Sequence, residues 1–152
     1  MHNITSPQTD DNGIEQLIQA KGKTAPRITT LDIDANIASE HYFTATHGRH
    51  GAIDLGEYVG RESPVERDKD LAPLDLLTFC VIVLRNGFTV TGESACASPE
   101  NFDAEIGRTI ARKNAIDKVW PLMGYALKNE LARKVLTEAD AAADLAGTPR
   151  PI

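Results

Sequence analysis

The sequence has few of the residues that would direct it to a specialised class of protein. It contains two cysteines, and aromatic residues make up 5% of the chain. Two thiols cannot supply the disulfide framework of a small secreted protein, and in the cytosol, where thiols stay reduced, Cys80 and Cys96 are expected to be free. No apolar run approaches membrane-spanning length, and the polar N-terminus lacks the basic and apolar segments of a signal peptide. We therefore expect a cytosolic protein with an aliphatic core and no membrane segment.

Positive charge is also scarce. Sixteen Lys and Arg face 22 Asp and Glu, which gives a net charge of -6. A negative chain is repelled by phosphodiester backbones and anionic lipids, so general affinity for nucleic acid or membranes is not expected. The length of 152 residues and the hydrophobic content of 41% suit one globular domain with its own core.

The sequence contains no recognisable catalytic signature. Three histidines lie within residues 41–50, but their spacing matches no zinc motif, and solvated loop histidines are the better interpretation. Residues 92–96 lack the second glycine of a nucleophile elbow. Glycine-rich phosphate loops are absent as well. These observations predict a protein that is not an enzyme and that holds neither a metal nor a cofactor.

The strongest local signal is a β-hairpin. The apolar run LTFCVIVL (77–84) and the segment FTVTGES (88–94) flank Asn86-Gly87, a pair that tolerates the positive φ angles of a type I′ turn. A two-residue loop of this kind pairs residue 83 with residue 90. The first strand is apolar on both faces, which predicts cover by helices on one side and by another subunit on the other.

Helical signals follow the hairpin. Ser98-Pro99-Glu100 is typical of a helix start. Small residues at 104, 107, 111 and 115 form a stripe that would let a second helix approach closely. Pro121 is expected to kink or restart the helix, because it lacks an N–H group and clashes with the preceding turn. The fold class predicted is therefore α+β, with a β-hairpin packed on a C-terminal helical pair.

The N-terminal half carries weaker signals. Residues 1–13 are predicted to be disordered, and short helices are predicted from Ile14 to about Lys21 and from a cap at Thr30 through Ala38. Glycines, prolines and charges over residues 46–73 predict a long surface excursion that is mobile in part. The expected organisation is one domain over residues 14–137, with a tail at 138–152.

Arg108 and Arg112 are the candidate binding residues. They stand four apart on the predicted helix, so their guanidinium groups share a side and suit a phosphate. Salt bridges to Glu105 or Asp117 are the alternative interpretation. If a nucleotide binds, Ser94 and Asn101 are expected to add polar contacts near the predicted helix start at Ser98.

Two long stretches resemble a known family. NGFTVTGESACASPENFDAEIG and ARKNAIDKVWPLMGYALKNEL are similar to segments of small phage proteins known from coliphage N-four and a Shigella phage. The resemblance covers residues 77–131 and continues more weakly over residues 28–44. It implies a phage origin, and the family carries no assigned activity.

The predicted layout also resembles that of phage sponge proteins, which sequester cyclic nucleotide alarm signals of bacterial defence. Those proteins are oligomers without catalytic residues, and they hold the ligand at subunit seams with arginine and aromatic side chains. The resemblance implies a homo-oligomer in the host cytoplasm whose partner is a cyclic nucleotide or a related signalling nucleotide. A phage inhibitor or adaptor that binds a host protein, with no small-molecule ligand, is the alternative.

Overall fold

A computed structural model describes residues 10–56 and 71–151, without the side chains of residues 134–137. The chain divides into two compact units, Ala35–Val119 and Met1–Asp34 with Trp120–Ile152. The predictions for residues 1–9 and for residues 57–70 of the excursion lie outside the described residues. No helix within the described ranges is long and apolar enough to cross a bilayer.

The unit Ala35–Val119 is built on a three-stranded antiparallel sheet. Its strands are β1 (Ile37–Thr44), β2 (Leu77–Leu84) and β3 (Thr89–Ala95), in the order β1-β2-β3. The helix α4 (Ala104–Ala146) follows β3, with short 3₁₀ helices at Ala72–Leu76 and Pro99–Asn101. Buried residues alternate along β2, because one face of the sheet is covered by the first part of α4. The predicted α+β fold is confirmed.

The strand β1 replaces the end of a predicted helix. A helix α2 does form, but it covers only Thr30–Asn36, and Ile37 begins β1. Asp32 accepts hydrogen bonds from the backbone N–H and the hydroxyl of Thr29, which fixes the start of α2. The next eight residues form a strand because they pair with β2. This pairing is a long-range effect that local helix signals do not show.

The hairpin between β2 and β3 is confirmed, but its predicted register is wrong by one residue. Val83 pairs with Thr89 and Ile82 with Val90. The loop has three residues: Gly87 donates to the Leu84 carbonyl and has a φ of 86°, and no residue other than glycine has a positive φ in the described ranges. This is a type I turn with a glycine bulge instead of a type I′ turn. The shift places Val90 on the buried face and Thr89 on the outer face.

The stripe of small residues on α4 faces the sheet, and not a second helix as predicted. Gly107, Ala111 and Ala115 are buried. The closest approach is at Gly92 of β3, where a Cβ atom would lie 2.0 Å from the Ala111 carbonyl oxygen. Small residues on both elements therefore let the helix backbone lie directly against a strand.

The predicted helical pair is one helix. It runs from Ala104 to Ala146 with Pro121 inside it. Proline removes a single N–H from the ladder, and the helix-forming residues on both sides maintain the remaining bonds. The boundary between the two units falls at Val119 and Trp120, directly before this proline.

Part of the predicted excursion forms a helix. Residues Ala45–Leu55 form helix α3. Thr44 and His47 make a reciprocal capping box: the Thr44 hydroxyl accepts from the His47 N–H, and His47 Nδ1 accepts from the Thr44 N–H. Gly56 ends the helix with a φ of 71°. A cap that uses histidine in place of Glu or Gln explains why the local sequence does not reveal this helix.

The second unit contains α1 (Asp11–Ala20) and the remainder of α4. Asp10 caps α1 by accepting a hydrogen bond from the Gly13 N–H at 2.8 Å. Glu15 accepts two hydrogen bonds of 2.6 Å from the guanidinium group of Arg27. This bidentate pair anchors the segment after α1 to the helix.

The Glu15–Arg27 pair predicts an acid titration with a low midpoint. Hydrogen bonding to Arg27 lowers the pKa of Glu15 to about 2. Because the pKa is depressed in the folded state, the stabilising effect is present above the unfolded pKa of about 4.3 and is lost as the pH falls toward 2. NMR of the Glu15 carboxyl carbon should show the low midpoint, and Arg27→Gln should raise it toward the ordinary value. A midpoint near 4.3 in the unsubstituted protein would contradict the pair.

Candidate functional site

Arg108 and Arg112 lie on the side of α4 that borders β1. Arg112 donates from Nε to Glu40 Oε1 at 3.0 Å, and its Nη2 lies 2.8 Å from the same oxygen. Glu40 also accepts a hydrogen bond of 2.8 Å from the hydroxyl of Tyr42. The salt-bridge interpretation therefore holds for Arg112, but its partner is on the sheet and 72 residues away instead of being a neighbour on the helix.

The pKa values of three groups near Arg112 are shifted by their surroundings. Hydrogen bonding to Arg112 holds the pKa of Glu40 below its ordinary value. Burial, together with the hydrogen bond to Glu40, raises the pKa of Tyr42 well above its usual range. Burial also raises the pKa of the Cys80 thiol. At neutral pH the carboxylate is ionised while the phenol and the thiol stay protonated, so the charges of Glu40 and Arg112 offset each other.

Arg108 stands one turn earlier on α4, and its side chain is exposed. It borders a cavity of about 90 Å³ between the end of β1, the start of β2 and α4. The other lining residues are Tyr42, Phe43, Thr44, His47, Thr78 and Ala104. A cation therefore lies beside two threonine hydroxyls, a histidine and aromatic rings, a set of groups suited to an anionic ligand that also has a ring.

The aromatic part of this region is formed by β1 and β2. The rings of Phe43 and Phe79 are paired across the two strands, with centroids 5.7 Å apart. Gly48 of α3 lies against the Phe43 ring, since a Cβ atom there would be 3.6 Å from it. Phe43 is still exposed by more than a third, so part of its ring is available to a ligand.

The cavity beside Arg108 does not include Ser94 or Asn101. Ser94 is on β3, paired with Thr78, and Asn101 is in the 3₁₀ turn Pro99–Asn101. Neither belongs to the residues that line that cavity. Ser98 and Pro99 do start a helix, but it is only the 3₁₀ turn Pro99–Asn101; α4 begins at Ala104, where Asp103 Oδ1 accepts from the Ile106 N–H at 2.9 Å. A carboxylate thus accepts from one of the amide groups at the start of α4.

Six residues of the site are identified only by the structure: Glu40, Tyr42, Phe43, Thr44, His47 and Thr78. Three of them alternate along β1, at positions 40, 42 and 44, and point to the face of the sheet that α4 covers. This alternation is a strand signal. It was available in the sequence, but residues 39–45 lie between the predicted helix that ends at Ala38 and the predicted excursion, and no strand was predicted there.

The opposite edge of the sheet is closed by α4. Leu84 and Phe88 form a hydrogen-bonded pair, and from there every second residue of β3 bonds to β2. Thr91 and Glu93 are the residues in between, so their carbonyls point away from β2. Lys118 Nζ donates to the Thr91 oxygen at 2.5 Å, and Asn114 Nδ2 donates to the Glu93 oxygen at 2.8 Å. These contacts fix α4 on the sheet and thereby position Arg108 and Arg112.

A second concave surface is apolar. A groove of about 790 Å³ runs along the 3₁₀ helix Ala72–Leu76 and the segment from Ala95 to Phe102. The Cys96 thiol lines it and donates to the Ser98 carbonyl oxygen at 3.1 Å. Within the described ranges, no group of three or more His, Cys, Asp and Glu residues is arranged to hold a metal ion.

Comparisons with known proteins identify a family and nothing more specific. The chain matches the model of the phage protein (N4 Gp49/phage Sf6 gene 66) family over residues 28–131. The match includes all three strands and the part of α4 that carries both arginines. Neither curated proteins nor solved structures gave a match.

Proposed function

We propose, for a chain that belongs to this phage protein family, that it binds and sequesters a cyclic nucleotide immune signal of the bacterial host without catalysing a reaction. The observation that carries the proposal is the position of Arg108. Arg108 is exposed and lines a cavity with hydroxyl-bearing and aromatic walls, and Arg112 stands one turn away. Guanidinium groups recognise phosphate, and aromatic rings stack on bases.

The two arginines have different roles in this proposal. Arg108 binds a ligand phosphate directly. Arg112 is held by Glu40 and keeps the sheet and α4 in register beside the site. Substitution of Arg112 therefore changes the site and its support together, whereas substitution of Arg108 tests the binding contact.

A homo-oligomer is part of the proposal. The outer face of β2 carries Leu77, Phe79, Val81 and Val83, all of which remain partly exposed in the single chain. A second copy that covers this face would bury apolar surface and bring a further subunit toward Phe79. Sedimentation at micromolar concentration tests this point, and a monomer would contradict it.

The decisive experiment is uptake and recovery of nucleotides. The protein is mixed with a panel of cyclic di- and oligonucleotides, separated from free ligand and heat-denatured, and the released nucleotides are identified by mass spectrometry. We expect one class to be retained and released intact. Degraded nucleotide would show an enzyme, and the absence of any retained nucleotide would favour a protein target.

Arg108→Gln provides the matched test of the site. A charge-assisted contact to phosphate contributes about 1.5–3 kcal/mol, so we expect Kd to rise roughly tenfold or more. Lys113→Gln removes one positive charge from an exposed position of the same helix and serves as the control. Equal Kd values for the two variants would mean that only net charge matters, and would remove Arg108 from the site.

Binding to a host protein is the second candidate function. The outward side of α4 exposes Ile106 by 60% and Ile110 by 43%. Two isoleucines one turn apart suit a protein interface. If no nucleotide is retained, Ile106→Asp should abolish binding to the host target while leaving the fold intact.

A further inference from the structure

The cavity beside Arg108 has a polar wall that the salt-bridge network does not use. Thr78 is 3% exposed, lies on the central strand and lines the cavity. Its hydroxyl has no hydrogen-bond partner among the described residues, and no fully enclosed side-chain oxygen or nitrogen in those ranges lacks one. The Thr78 hydroxyl is therefore accessible from the cavity. Because it is accessible, the hydroxyl can donate a hydrogen bond to an occupant of the cavity.

Gly107 brings the backbone of α4 close to this hydroxyl. A Cβ atom at Gly107 would lie 3.0 Å from Thr78 Oγ1. The absence of a side chain there keeps space around the hydroxyl and places Arg108, the next residue, at the cavity. The close approach therefore places Thr78 on the sheet, a neutral donor, and Arg108 on the helix, a cation, at the same cavity.

The remaining walls also present donors. Thr44 caps α3, an eleven-residue helix, so the positive end of its dipole faces this region. His47 accepts the Thr44 N–H at Nδ1, which leaves the proton of the neutral ring on Nε2. The nearby carboxylates are engaged: Glu40 by Arg112, and Asp75 by the hydroxyl of Thr46 at 2.5 Å. Among the described residues that line the cavity, Arg108 is the one with a permanent charge.

We propose that this cavity is a subsite for a single phosphoryl group, with Arg108 as the cation and Thr78 as the buried donor. Its volume of about 90 Å³ is far below the ~300–1,000 Å³ of pockets that enclose a whole small molecule, so it fits one group of a larger ligand. The proposal deepens the function given above by naming the part of the ligand that lies here. It does not require that the ligand be cyclic.

The test uses inorganic phosphate as the probe. Amide NMR spectra are recorded during a phosphate titration, with sodium chloride at matched ionic strength as the reference. Saturable shifts at Thr78, Gly107 and His47 are expected. Thr78→Val keeps the branched shape that suits a strand and removes the hydroxyl, and should weaken phosphate binding about tenfold. Thr78→Ser should restore binding, while Thr109→Val on the exposed side of α4 should have no effect.

The outcomes separate the subsite from the proposed function. Shifts that increase linearly with phosphate concentration, or equal binding by Thr78→Val and the unsubstituted protein, would overturn the subsite. Saturable phosphate binding without retention of any cyclic nucleotide would support the subsite and refute the sponge function. Retention of a cyclic nucleotide that Thr78→Val leaves unchanged would support the function and refute the subsite.

Discussion

Gly92→Ala is expected to destabilise the protein by at least about 3 kcal/mol, beyond the upper end of the usual range for overpacking. The added Cβ would lie 2.0 Å from the carbonyl oxygen of Ala111 and 2.3 Å from the amide nitrogen of Ala115. Both are backbone atoms of α4, so no side-chain rotation relieves the clash. Relief requires that the helix move away from the sheet, which exposes Ala111 and Ala115 and shifts both arginines.

Urea denaturation followed by far-ultraviolet circular dichroism measures this loss. Gly124→Ala is the control for the same substitution without a clash, because Gly124 lies in α4 and its Cβ would meet no described atom within 4 Å. Alanine is the better helix former, so the control should be more stable by up to about 1 kcal/mol. Equal urea midpoints for Gly92→Ala and the unsubstituted protein would show that the helix does not lie on this strand.

Arg112→Ala is expected to destabilise the protein by about 1–2 kcal/mol at neutral pH, because half-buried Glu40 would lose its cation. The effect depends on pH with a definite sign. Since the pKa of Glu40 is lowered in the folded state, its pairing stabilises the protein above the unfolded pKa of about 4.3. The stabilisation is lost as the pH falls through the folded pKa, so the difference between the two proteins should shrink in acid.

A double-mutant cycle with Glu40→Gln isolates the pair. The double variant should be more stable than the sum of the single losses predicts, because neither charge is left alone. Lys113→Ala is the control, since Lys113 pairs with Asp117 at 3.1 Å in an exposed position and should change stability by less than about 0.5 kcal/mol. If Arg112→Ala costs no more than this control, the Glu40 pair does not hold the sheet to the helix.

Local signals predicted the hairpin and the position of the arginines, but not their surroundings. Asn86-Gly87 identifies a turn, yet the same pair fits a two-residue or a three-residue loop, and this choice decides which face Val90 occupies. The small residues of α4 correctly indicated a close contact. They did not reveal that its partner is Gly92, because a helix and a strand both accept such a surface.

The candidate site depended on contacts that no local pattern contains. Arg112 contacts Glu40 only because β1 pairs with β2 in the sheet. The helix signals that precede β1 do not indicate that a strand follows them. The cavity needs Thr44, Thr78 and Arg108 together, from three elements that are distant in sequence. The pairing of distant segments therefore decides which residues meet at the site, and no local sequence pattern shows that pairing.

The contacts from α4 to the outer edge of β3 also restrict how copies of the chain can associate. Asn114 and Lys118 occupy the carbonyl groups of Glu93 and Thr91, to which an incoming strand would have to bond. Growth of an endless fibre by strand addition needs two available edges on every copy. A chain with one edge blocked by its own helix can extend its sheet in one direction only, so strand pairing between copies ends at a closed pair and never propagates.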